Sequence, residues 1–94
     1  MIQKVSGEKT KHKIKCYTIS TCGWCKKTKA WLKSNKYEYE YIDVDLLQGD
    51  ERDKISEEVK QYNEMLSFPT VVIDEEIVVV GHDAEKLKEA LGDD

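Results

Sequence analysis

Thr21-Cys22-Gly23-Trp24-Cys25-Lys26-Lys27 is the stretch whose reading decides the fold. Two thiols stand three positions apart, separated by a small residue and an aromatic one. An apolar-leaning segment, Ile14 to Ile19, runs just before them, and a lysine-rich stretch with helical spacing follows. With a helix starting at the motif, Cys22 sits at its N-terminus and Cys25 lies inside the first turn. One turn brings both sulfurs to the same side, within reach of an intramolecular disulfide. The open amides and the dipole of a helix end stabilise a thiolate on Cys22, and Lys26 and Lys27 add positive charge nearby. These residue types at this spacing point to dithiol–disulfide exchange.

Size and composition bound what surrounds the motif. The 94 residues, 39% of them apolar, suffice for one folded domain near the small end of what buries a usable core. No apolar run is long enough to span a bilayer, and nothing at the N-terminus resembles a signal peptide, so the cytoplasm is the expected compartment. Three cysteines are too few, and odd in number, for a secreted disulfide framework. In a reducing compartment a close pair reads as catalytic or metal-binding. Residues 1–36 hold ten lysines against one glutamate, whereas residues 37–94 hold five basic and eighteen acidic residues, for a net charge of −4. In an interleaved fold this asymmetry reads as ordinary solvated faces. No basic–aromatic motif supports nucleic-acid binding.

Working outward, residues 1–12 read as a flexible arm or a short extra strand, and residues 13–94 as the domain. Lys13 to Ser20 alternates as a strand covered in part on both faces, with Cys16 as a small core residue. Cys22 to about Asn35 reads as a helix with Cys25, Thr28, Trp31 and Leu32 on its inner face and Asn35 in a left-handed C-terminal position. Tyr37 to Val44 has a period of two, with Tyr37, Tyr39 and Tyr41 on one face, and its glutamates suit an edge strand. Asp43 and Asp45 read as surface turn residues. Asp50 to about Leu66 carries one apolar stripe (Ile55, Val59, Tyr62, Leu66), with Asp50 as N-cap. Val71–Ile73 and Ile77–Val80 form a hairpin around Asp74-Glu75-Glu76, a loop with no glycine and so mildly strained. Pro69 sits where a strand begins. Asp83 caps a last helix with Ala84, Leu87 and Leu91 inside, and His82 reads as a solvated loop residue.

The order β-α-β-α-β-β-α implies an α/β domain with a four-stranded mixed sheet flanked by three helices. A Cys-x-x-Cys pair after the first strand of a βαβ unit marks the thioredoxin-like fold. Cys22-Gly23-Trp24-Cys25, Phe68-Pro69-Thr70 and Gly81-His82-Asp83, in that order, resemble the glutaredoxin-like members of the thioredoxin superfamily over roughly residues 13–92. The resemblance implies a redox-active dithiol oxidoreductase in which Cys22 attacks a substrate disulfide and Cys25 resolves the mixed disulfide. It also implies a cis Pro69 beside the sulfurs and a Phe68 backbone that pairs with substrate. Thr21, Trp24, Phe68, Pro69, Thr70, Gly81, His82 and Asp83 are the substrate-binding candidates.

Three departures bear on substrate. Ser20-Thr21 stands where glutaredoxins often place a basic residue, Val80-Gly81 where they usually have two glycines, and Cys16 where thioredoxins typically bury an acid. Protein disulfides and small-thiol mixed disulfides are therefore both expected substrates. The reading expects no bound cofactor and no metal, with glutathione, another small thiol or a reductase as electron donor. Its partners are disulfide-containing proteins, without nucleic acid or membrane, and it acts as a monomer. The rival reading is an iron–sulfur cluster carrier of the glutaredoxin type, since Gly23 leaves room beside Cys22.

Overall fold

Alternation along Ile14–Thr18 sends Ile14 and Cys16 to one face of a sheet and Tyr17 to the other. In the computed structural model, which describes residues 2–92, this central strand is β2. It follows β1 (Gln3–Val5) and leads to α1 (Gly23–Ser34), β3 (Tyr39–Asp43), a 3-10 turn (Val44–Leu46) and α2 (Gly49–Tyr62). The chain continues through β4 (Thr70–Ile73), β5 (Ile77–Val80) and α3 (Ala84–Leu91). The strand order is β1-β3-β2-β4-β5. β2 and β3 run parallel across α1, β4 is antiparallel to β2, and β4 and β5 form the hairpin.

Among the described residues the sheet therefore has five strands rather than the expected four. Its fifth strand is the short β1, antiparallel to β3 with Lys4 opposite Glu40. β3 is not an edge strand, although Glu38 and Glu40 suggested one. Beyond β1 the arm stays joined to the domain, with the Lys9 amide donating to the Lys36 carbonyl (2.9 Å) and the Glu38 amide to that of Lys9 (3.0 Å). Gly7 makes the approach possible: a Cβ there would lie 2.5 Å from the Tyr37 carbonyl carbon.

Two apolar clusters hold the layers. Cys16, Val71 and Ile73 on one sheet face pack with Leu32 of α1 and with Leu87 and Leu91 of α3. Tyr17, Ile42 and Val72 on the other face pack with Ile55, Val59 and Tyr62 of α2. No helix among the described residues is long and apolar enough to cross a membrane.

Several local expectations shift. α2 starts from Gln48 with no side-chain cap, leaving Asp50 inside the first turn, where its charge still complements the helix dipole. Leu66 lies beyond the helix at φ 51° yet still packs on the second cluster. Lys36, not Asn35, takes the left-handed position after α1, and Asn35 instead donates its side-chain amide to the Trp31 carbonyl. The hairpin loop is strained as expected, with Asp74 and Glu75 at φ 53° and 62°. Asp74 is held there by the Lys13 amide (2.8 Å) and the His12 ring (2.6 Å).

Two predictions follow from these contacts. Gly7→Ala drives a methyl into the backbone of residues 37–38 and is expected to destabilise the fold by about 1–3 kcal/mol in urea unfolding. Wild-type stability in that variant would contradict the docking of the arm. The second concerns acid. Burial works against the charge on Glu58, but the Tyr17 hydroxyl and the Lys15 ammonium outweigh it and hold the carboxyl below its ordinary value. The bond from His12, with that from the Lys13 amide, lowers Asp74 in the same way. Depressed carboxyls stabilise the fold above their unfolded pKa and lose that contribution as pH falls through the folded one. The melting temperature should drop on acidification through the carboxylate range, with a shallower slope in Glu58→Gln; identical slopes would contradict the role of Glu58.

Candidate active site

α1 opens on the motif because Cys22 leaves the helix path. Its backbone is extended (φ −81°, ψ 119°), its own amide donates to the Ile19 carbonyl (3.1 Å), and its sulfur accepts the otherwise unpaired amide of Cys25 at 3.3 Å. A thiol thus fills the N-cap position usually given to Ser, Thr, Asp or Asn. Apart from its chain neighbours, nothing lies within 4 Å of where a Gly23 Cβ would sit, so that position is open.

The two thiols are set apart by environment. Burial alone raises the Cys22 thiol, but the Cys25 thiol, the amides of Cys25 and Trp24 and the Lys29 ammonium together bring it below its ordinary value. Cys25 is fully buried, and loss of water, followed by its bond with Cys22, pushes its thiol up to about 12. Cys16 lies in the core beneath, where burial raises its thiol to about 12 as well. One sulfur is poised to ionise and two are held protonated.

Lys29 was not singled out by sequence reasoning, although positions 22, 25 and 29 share one helical face. Its ammonium is mostly shielded, pairs with Asp43 at 3.2 Å and lies 3.9 Å above the Tyr41 ring. Asp43 also accepts from the buried Thr18 hydroxyl (2.6 Å). Asp45 accepts from both the amide (2.8 Å) and the hydroxyl of Ser20, and those bonds depress its own pKa. The two aspartates are therefore not idle turn residues: Asp43 at the end of β3 and Asp45 in the turn after it brace the end of β2 and the loop that carries Cys22.

The remaining candidates fall into distinct places. Thr21 is exposed in the turn before the motif. The Phe68–Pro69 bond is cis, Pro69 is buried, and its carbonyl accepts from the Gly81 amide at 2.8 Å. Gly81 needs its φ of 80°, which disfavours any side chain. Thr70 is wholly buried, with its hydroxyl bonded to the Ser67 carbonyl (2.6 Å) and the Asn63 amide group (3.3 Å), so its side chain faces the fold. Asp83 caps α3 through the Lys86 amide (3.1 Å). His82 is not a solvated loop residue: it is half-buried, 2.9 Å from the Thr28 hydroxyl, and stacks on Trp24.

Register places Thr70 opposite both Tyr17 and Val80. The loops after β2, β3 and β5 and the loop before β4 therefore share one end of the sheet. The segments at that end carry the exposed apolar side chains Trp24, Leu46, Met65 and Val80. Cavities of about 280 and 440 Å³ lie elsewhere, one between β1 and the starts of β2 and β3, the other beside α2, and no motif residue lines either. Among the described residues no three His, Cys, Asp or Glu side chains cluster to hold a metal ion.

Comparison with known proteins places relatives around this geometry. The sequence model of the Glutaredoxin family matches residues 14–78. An uncharacterised glutaredoxin-like 8.6 kDa protein in the rubredoxin operon of Clostridium pasteurianum is 38% identical over 72 residues, spanning 77% of this chain and 89% of that protein. Among solved structures, the glutaredoxin from Methanosarcina mazei Go1 is 40% identical with a TM-score of 0.89, covering 97% of this chain and 87% of that one. The methanoredoxin of Methanosarcina acetivorans is 40% identical with a TM-score of 0.84, covering 88% and 87% respectively.

The electrostatics of the site are testable through Lys29. Lys29→Met is expected to raise the pKa of Cys22, moving the pH dependence of its alkylation to higher pH, while Lys29→Arg keeps the wild-type profile. Coincident profiles for Lys29→Met and wild type would show that the ammonium does not act on the sulfur.

Proposed function

The chain belongs to the glutaredoxin family, and on that premise we propose that it is a cytoplasmic dithiol–disulfide oxidoreductase acting through Cys22 and Cys25. The observation that carries the reading is the asymmetry of the pair: an accessible, helix-capping Cys22 with a lowered pKa, bonded to a buried Cys25 with a raised one. Dithiol exchange uses that combination, since the thiolate is the nucleophile and a second thiol within reach resolves the mixed disulfide.

The steps follow from the two environments. The Cys22 thiolate attacks one sulfur of a substrate disulfide, forming a mixed disulfide and expelling the other sulfur as a thiolate. Cys25 then gives up its proton, which ends on a departing substrate thiolate, and its sulfur attacks the sulfur of Cys22. That closes the Cys22–Cys25 disulfide and releases the second substrate thiol. The substrate gains two electrons and the motif loses two, which glutathione, another small thiol or a reductase restores. Once Cys22 is spent in the mixed disulfide, the bond that favoured protonated Cys25 is gone, which eases ionisation of the resolving thiol.

Exposure of Trp24 beside Cys22, and of Leu46, Met65 and Val80 at the same end of the sheet, supports disulfide-bearing proteins as substrates. Cys22→Ser is expected to reduce turnover of a protein disulfide to background. Cys25→Ser is expected to accumulate a covalent mixed disulfide through Cys22, seen by mass spectrometry and released by dithiothreitol. Turnover in Cys22→Ser, or trapping through Cys25 in the wild-type background, would reverse the assignment.

A further inference from the structure

We infer that His82 is a positioning residue that holds the Trp24 indole as a stacking platform, so that the site favours disulfides flanked by an aromatic side chain. The inference rests on the exchange reading above and names a preference within it.

Trp24 lies between the two cysteines and is 58% exposed. An exposed tryptophan at a helix start is ordinarily free to sample rotamers, and ordering it costs entropy. Here two partners limit that freedom. The His82 imidazole lies across the indole, with centroids 6.3 Å apart and planes 24° from parallel, and the Lys27 ammonium sits 4.5 Å from the ring centroid. Offset stacking and a cation over the ring are both favourable placements.

His82 is itself fixed in place. Its Nδ1 is 2.9 Å from the hydroxyl of Thr28, a wholly buried residue one turn beyond Trp24 on the same helix. On one side of it Gly81 bonds to the Pro69 carbonyl, and on the other Asp83 caps α3. The imidazole therefore ties the end of β5 to α1 and presses on the one aromatic residue inside the motif. A different set of groups (Cys25, the Trp24 amide and Lys29) governs the charge on Cys22. The stack is thus available to shape what approaches the sulfur. A substrate residue that meets the exposed part of the indole beside Cys22 meets a ring already held in place, from which a flat apolar side chain gains most.

The test uses two peptide mixed disulfides with the same chromogenic leaving thiol, with Phe or Gly next to the peptide cysteine. Wild-type protein is expected to favour the Phe peptide in kcat/KM by about 3- to 10-fold, the range of a single aromatic contact. His82→Ala should bring that ratio close to one, and His82→Phe, which keeps a ring against the indole, should restore part of it. In a Trp31→Phe background, which leaves Trp24 as the sole tryptophan, His82→Ala should also lower the fluorescence anisotropy. A wild-type ratio near one, or an unchanged ratio and anisotropy in His82→Ala, overturns the inference while leaving the exchange reading intact. No reaction of the wild type with either peptide would overturn both.

Discussion

The amide of Cys25 has no carbonyl partner within α1, and it takes the sulfur of Cys22 instead. Much of the site depends on that bond. It makes a thiol the helix cap, so the first turn is completed by the group that does the chemistry. A cap accepts hydrogen bonds, and a thiolate accepts them better than a thiol, so forming the helix and ionising Cys22 reinforce each other. The same turn buries Cys25 and keeps its proton. A single structural requirement, that a helix end be satisfied, thus divides two chemically identical side chains into a nucleophile and a reserve.

The rest of the fold keeps that cap in place. β2 delivers the chain to the motif, and parallel β3 ends beside it, so Asp43 at its end and Asp45 in the turn after it grip Thr18 and Ser20. Asp43 also holds Lys29, which keeps a positive charge under the cysteines without leaving it unpaired. On the far side the Gly81–His82–Asp83 loop joins the cis-proline loop to α1 through Pro69, Thr28 and Trp24. Both connections cross the sheet ends, where the strands are rigid and the loops are free to carry function.

The parts legible in the sequence were those encoded by short-range spacing. A three-residue interval between cysteines after an alternating run identifies the strand–helix junction, and the stripe Ile55–Val59–Tyr62 identifies α2. What escaped was long-range. Nothing local to Asp45 indicates that it binds Ser20, 25 residues away, and nothing local to His82 indicates Thr28, 54 residues away. Charged and polar side chains on loops read as solvated until the fold supplies their partners. β1 was ambiguous for another reason: three residues with Val5 as their one apolar side chain carry little periodic signal. Glu38, just before β3, and Glu40 within it then pointed to an edge, because Glu38 stays exposed and Glu40 is only partly covered even with β1 alongside.

The account turns on one sulfur ionising well before the others. The most direct measurement is a pH titration of the thiolate ultraviolet absorbance in the fully reduced protein, repeated in Cys22→Ser. The account predicts one thiolate forming below the ordinary cysteine range in the wild type, absent from Cys22→Ser, with no further thiolate until strongly alkaline pH. A first ionisation at or above the ordinary range, or one that survives in Cys22→Ser, would contradict it.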